Sequence, residues 1–285
     1  MAGRAREGQG ARRLIVHLGV QKTGSTSIQR HLRRNADALA DHLVVRTPEE
    51  GSPMRPLGRA AIAFSLQPSE ERAAALKLAF RAVLDALPPG DVPVLISHEN
   101  LAGAMPGNGG ETRLYPALPQ IAALLLAEAR GFAADFVIYT RHRKSWRPSV
   151  WAQAVRTDGY ERSLAEFETE TADLPGWGDL IRRMTAEPGI RLARFRLEDE
   201  ADPSRPGRQL LRHAGLDDAR IDALEPLDGP TNSRLSDGAI EFLRKLNGLA
   251  LNPHAHVRVA DLVARNEHLF TAQRSAIPAP SEGTS

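Results

Sequence analysis

Short apolar runs separated by amphipathic stretches set the pattern of this chain. Leu14 to Leu18 is nearly continuous in apolar, β-branched-rich character, as in a strand buried on both faces. Comparable runs recur at His42–Arg46, Val92–Ser97, Ala134–Thr140 and Ile190–Arg196. Between them the apolar residues fall at helical spacing. Ile28, Leu32 and Leu39 share a face after a helix start at Ser25 or Thr26, and Leu76, Phe80, Val83, Leu84 and Leu87 share one over Ser69–Leu87. Ser69 suits the cap of that second helix, and Pro88-Pro89-Gly90 ends it. Further helices are predicted over Leu118–Ala129, 147–157, from the capping box Ser163-Leu164-Ala165-Glu166, over Asp179–Ala186, and through most of the chain after about Arg205. Thr47–Arg59, with three Pro and two Gly, reads as a loop, and Ala102–Arg113, with five Gly or Pro, reads as a mobile lid or substrate loop.

Buried strands alternating with helices predict an α/β fold: a parallel sheet of about five strands flanked by helices, with a helical C-terminal part. The expected layout is a basic, Gly-rich disordered tail over 1–12, one domain over 13–272 and a second disordered tail over 273–285. With 285 residues the chain can bury a sizeable core. Its 37 basic and 35 acidic residues are interspersed, which predicts no nucleic-acid partner. Zero Cys excludes disulfides, thiolate metal sites and a Cys nucleophile. The longest apolar stretch away from the start, Ile121–Ala127, is far short of the roughly 20 residues a membrane span requires. No cleavage site follows the basic start, so the expected compartment is cytoplasmic.

In a parallel sheet, ligands bind beyond the carboxyl ends of the strands. Three polar groups fall at such ends: Lys22 after the first strand, His98 and Glu99 after the third, and Arg141 after the fourth. The first of these is the richest. Gly19 ends the strand, and Gln21-Lys22-Thr23-Gly24-Ser25-Thr26-Ser27-Ile28-Gln29 leads into the helix. Unpaired N–H groups and the positive end of the helix dipole make an anion cradle there. Lys22 adds a full charge, and the hydroxyls of Thr23, Ser25, Thr26 and Ser27 add donors. Lys22 precedes Gly24, so the order differs from the nucleotide-hydrolysing pattern G-x-x-x-x-G-K-[ST].

This stretch resembles the 5′-phosphosulfate loop of sulfotransferases that use 3′-phosphoadenosine 5′-phosphosulfate (PAPS), and within them the bacterial and carbohydrate-type members. A second motif agrees. Arg141 stands at a strand tip, and Ser149 follows eight residues later in the first turns of a helix, where Pro148 suits the orphan N–H positions. A guanidinium fork with a hydroxyl is a receptor for a dianionic phosphate. The spacing resembles the family's 3′-phosphate motif. The resemblance implies a P-loop-like fold, PAPS as cosubstrate, and Lys22, Thr23, Gly24, Ser25, Thr26, Ser27, Arg141 and Ser149 as its binding residues. The acceptor would be a hydroxyl or amine of a saccharide, lipid-linked glycan or natural product, and no metal is expected.

Ser97-His98-Glu99-Asn100-Leu101 lies between the two motifs. The family places acceptor-side catalytic groups here, a Glu in carbohydrate-type enzymes and a His in cytosolic small-molecule enzymes. Adjacent side chains at a strand end point opposite ways, so one of the two faces the reacting group. Glu99 is the favoured general base and His98 the fallback, with Lys22 offsetting charge on the leaving phosphate. Trp146, Trp151 and Trp177 are read as core aromatics or as lining of an acceptor cleft, His17 as a core-strand residue and His31 as a helix-surface residue. Asn232 and Arg234 are candidates for a closing C-terminal loop, although the Arg-Lys-Gly form of the cytosolic members is missing. A P-loop nucleotide kinase or NTPase, dependent on Mg²⁺, and a non-catalytic domain binding nucleotide or another anion are the two other readings.

Overall fold

A computed structural model describes residues 10–229, 235–249 and 253–270. Most of the two expected tails, with Asn232 and Arg234, lies outside the described residues. Five parallel strands, β1 (Arg12–Leu18), β2 (Val44–Arg46), β3 (Val94–His98), β4 (Phe132–Thr140) and β5 (Leu192–Arg196), form one sheet in the order β2-β3-β1-β4-β5. The helices of the first half are α1 (Ser25–Arg34), α2 (Ala36–Leu39), α3 (Met54–Leu66), α4 (Glu70–Asp85) and α5 (Leu118–Glu128). Those that follow are α6 (Arg143–Thr157), α7 (Leu164–Glu170), α8 (Trp177–Thr185), α9 (Arg208–His213), α10 (Asp218–Ala223), α11 (Asp237–Asn247) and α12 (Pro253–Arg265). Among the described residues no helix is long and apolar enough to cross a membrane.

The strand order fixes where each helix lies. Crossovers between parallel strands are right-handed, so the direction of travel across the sheet selects the face. Only the β1-to-β2 connection runs toward the β2 edge, and α1 packs on one face with α9 and α10: Ile15, Leu95, Val137 and Tyr139 meet Ile28, Leu32, Leu210, Leu211 and Ile221 there. The other three crossovers run the opposite way. Their helices cover the second face, where Leu14, Val16, Ile96, Phe136 and Ile138 meet Leu57, Phe80, Ile121, Val150 and Leu180. Burying a side chain of this size contributes about 1.5–3 kcal/mol. Because the crossovers leaving β1 and β3 diverge, a crevice opens at the carboxyl ends of these two central neighbours.

Several sequence expectations are corrected. β1 begins at Arg12, inside the expected tail, because the Arg12 side chain donates to Val92 O and Pro88 O, both at 2.7 Å. α3 occupies part of the expected 47–59 loop. Pro53 is its N-cap and Pro56 its third residue, positions whose missing N–H breaks no intrahelical bond. α6 begins at Arg143 rather than 147, so Pro148 lies inside the helix and leaves the Lys144 carbonyl without its usual donor. His31 is fully buried, its Nδ1 2.9 Å from Pro206 O, and is not a surface residue. The caps at Ser69 and Ser163 form as expected, Ser163 with Glu166 as a full capping box, and Ser236 caps α11 by accepting the Ala239 N–H.

Candidate active site

The turn after β1 is built by backbone constraints before any ligand is considered. Gly19 donates its N–H to His98 O at 2.9 Å, and a Cβ there would lie 2.6 Å from Glu99 Cα. Only glycine allows the tips of β1 and β3 to approach this closely. Lys22 (φ 64°) and Gly24 (φ 91°) are both left-handed, a conformation that is uncommon for a lysine and reverses the chain into α1. Thr23 is fully buried, and its hydroxyl donates to Val20 O at 2.6 Å. Ser25 Oγ donates to the same carbonyl at 3.3 Å. The first intrahelical bond is Ile28 N–H to Gly24 O, so the N–H groups of Ser25, Thr26 and Ser27 have no partner within the helix ladder.

A crevice of about 1040 Å³ lies over these strand tips. Lys22, Gly24, Ser25, Thr26, Glu99, Arg141 and Ser149 all line it, although they come from four separate stretches of chain. Thr23, Ser27 and His98 do not: Thr23 clamps the turn from beneath, and His98 is turned into α3. A Cβ on Gly58 would fall 2.1 Å from His98 Nε2, so the glycine of α3 is the space the imidazole fills. His98 Nδ1 accepts the Asn100 N–H at 3.0 Å, and burial lowers the ring's pKa, which keeps it neutral. Glu99 faces the crevice, with Oε2 buried, unpartnered and 3.7 Å from His98 Nδ1.

The electrostatics of the crevice are set by cations. Arg59 from α3 and Arg156 from α6 join Lys22 and Arg141 along its wall, and none of the four makes an ion pair with a described carboxylate. Burial lowers the pKa of the Lys22 ammonium, and repulsion from Arg141 and Arg156 adds to this. An anion placed there would relieve both effects. These residues therefore fit a polyanionic ligand: a helix N-terminus, one ammonium and several guanidinium groups facing a shared space.

Two of the tryptophans read from the sequence as core or cleft-lining aromatics also brace the loops at the crevice. Trp146 Nε1 donates to Gln21 O at 3.0 Å, and Trp177 Nε1 donates to Arg141 O at 2.7 Å. The rings meet edge to face with centroids 5.0 Å apart. Neither lines the crevice, and Trp151 Nε1 is engaged by Arg162 O, so none of the three forms a cleft wall. Arg156 and Ser145 were overlooked. Counting from Ser149 by helical spacing places Ser145 four residues before and Arg156 seven after on one face, a signal present in the sequence. Arg59 was hidden by the loop assignment of its helix.

The 102–113 segment keeps its loop character, with one 3₁₀ turn at Asn108–Gly110. It is tied to the walls on both sides. Gln21 Nε2 donates to Gly103 O at 2.9 Å, the Ala104 N–H to Ser65 Oγ at 2.7 Å, and Asn108 Nδ2 to Asp158 Oδ1 at 2.9 Å. Comparison with protein-family models and with curated protein sequences gave no match.

Proposed function

We propose that this protein is a sulfotransferase that moves a sulfuryl group from PAPS to an acceptor hydroxyl or amine. The observation that carries the reading is the convergence of Lys22, the start of α1, Glu99, Arg141 and Ser149 on one crevice. The Lys-before-Gly turn and the Arg–Ser spacing independently suggested two phosphate grips, and these grips share a single space. When bound, PAPS supplies the sulfuryl group together with a phosphate leaving group. Lys22 Nζ and the Ser25 and Thr26 N–H groups hold the 5′ end and offset charge on the leaving oxygen. Arg141 and Ser149 hold the 3′-phosphate. Glu99, which lines the crevice and whose Oε2 accepts no hydrogen bond, takes the acceptor's proton. His98, buried against Gly58 of α3 with its Nδ1 accepting the Asn100 N–H, is not the base in this reading.

Calorimetry with 3′-phosphoadenosine 5′-phosphate (PAP), AMP and ATP, each with and without Mg²⁺, tests this. The expected result is micromolar, metal-independent binding of PAP and much weaker binding of AMP. A Mg²⁺-dependent preference for ATP would replace the proposal with a nucleotide kinase, and no binding of any of the three would remove it.

A further inference from the structure

The anion-binding residues account for only part of the crevice. They come from the β1 turn, the start of α1, the tip of β4 and the first half of α6. The remaining wall is built by α3, the 102–113 loop, the second half of α6, and Leu235 with the first turn of α11. Its side chains include Ile62, Leu66, Met105, Ala152, Leu235 and Ile240. Leu66 is 41% exposed, a large apolar side chain open to solvent at the rim of a catalytic cleft.

What this wall lacks decides between acceptor classes. A sugar ring presents an apolar face that is well covered by a flat aromatic side chain, and a rim of hydroxyls that needs several directed polar partners. The 3 Trp, 3 Tyr and 8 Phe of the chain all fall among the described residues, and none of them lines the crevice. Two of the polar side chains on this wall, Asn108 and Asp158, bond to each other. Gln153 Nε2 donates to Thr157 Oγ1 and Thr157 Oγ1 to Asp158 Oδ2, so beside Asn100 and the cations Arg59 and Arg156 the groups this wall offers an acceptor are aliphatic.

We infer that the acceptor carries its hydroxyl on an aliphatic body, which lies against Ile62, Leu66, Met105 and Ile240 while the hydroxyl meets Glu99. This rests on the transfer reading above. The alcohol oxygen forms the new S–O bond as the S–O bond to the phosphate of PAPS breaks. The alcohol proton passes to Glu99, and the bonding electron pair leaves with PAP.

The test is transfer from labelled PAPS to a series of n-alkanols from hexanol to dodecanol, with maltose and chitotriose as saccharide acceptors, alongside PAP calorimetry on the same 285-residue chain. kcat/KM is expected to rise about three- to fourfold per methylene until the wall is filled. The substitution Leu66→Gln, at an exposed position, should flatten that rise while PAP affinity changes less than about twofold. Transfer to saccharides at equal or greater efficiency, a flat chain-length series, or no transfer to any alkanol while PAP binds would each overturn the inference and leave the cofactor reading intact. Loss of PAP binding in the unmodified protein would remove both.

Discussion

The guanidinium of Arg141 donates to the main-chain carbonyl of Lys22 at 3.2 Å, across a sequence separation of 119 residues. The residue proposed to hold one phosphate therefore also braces the turn that holds the other. Arg141→Ala should weaken PAP binding by roughly 10- to 100-fold, the range for a lost charged hydrogen bond. AMP, which has no 3′-phosphate, should lose only the smaller contribution of the loosened turn. Calorimetry with both ligands separates the two effects, and equal losses would refute the 3′-phosphate role. Lys22→Ala should lower turnover by about 10²–10³.

Glu99 and His98 are neighbours with opposite surroundings, and their substitutions should separate. Glu99→Gln should cut kcat by about 10²–10⁴ while leaving PAP affinity and thermal midpoint close to wild type. Gly58→Ala probes His98 without touching it. The new methyl would occupy the imidazole's place, at a cost of about 1–3 kcal/mol read by denaturant unfolding. If Gly58→Ala left stability unchanged, the packed position of His98 would be wrong.

Trp177→Phe keeps most of the ring and removes the N–H that holds the Arg141 carbonyl. The expected loss is about 0.5–1.5 kcal/mol of stability. PAP affinity should fall several-fold because Arg141 is no longer aimed. Parallel chemical unfolding and PAP titration measure the two quantities on the same sample. An unchanged affinity would make the tryptophan purely structural.

Acid should destabilise the fold through its buried histidines. Burial lowers the pKa of His17 to about 4, and those of His31 and His98 are lowered in the same direction. As pH falls below about 6.5 the unfolded chain takes up protons that the folded chain refuses, so stability is lost between about pH 6.5 and 4 and is fully present above that window. His17 alone can contribute on the order of 3 kcal/mol to this loss. His17→Asn should flatten the slope of unfolding free energy against pH, whatever it does to stability at pH 7.

The sheet was legible because its strands are short, apolar and separated by helical periodicity, a contrast that survives without tertiary information. Both anion-facing motifs were legible for the same reason: each sits where a strand pattern stops. α3 was not, since Pro53, Pro56 and Gly58 look like breakers when counted by composition. Two of them occupy helix-start positions that need no donor, and the third makes room for an imidazole 40 residues away in the chain. His31 is polar and lies on a helix, so local pattern placed it outside. Its partner, the Pro206 carbonyl, comes from a segment that covers α1 only after β5 has been laid down. The tryptophan braces were hidden likewise, because the carbonyls they hold are set by the turns and not by any residue type.

The central place of β1 has a consequence for how the protein is made. β1 leaves the ribosome before the other four strands of its sheet, yet its neighbours come much later: His17 meets Ser97 across 80 residues and Arg13 meets Asp135 across 122. At roughly 5–20 residues per second, an apolar strand with two open edges spends several seconds without either partner. Such long-range pairing folds slowly and exposes sticky edges to chaperones or to other nascent chains. A chain halted before β4 carries the Lys22 turn but neither Arg141 nor the Trp146 brace. The crevice is thus completed late in synthesis, when the fourth strand closes on the first.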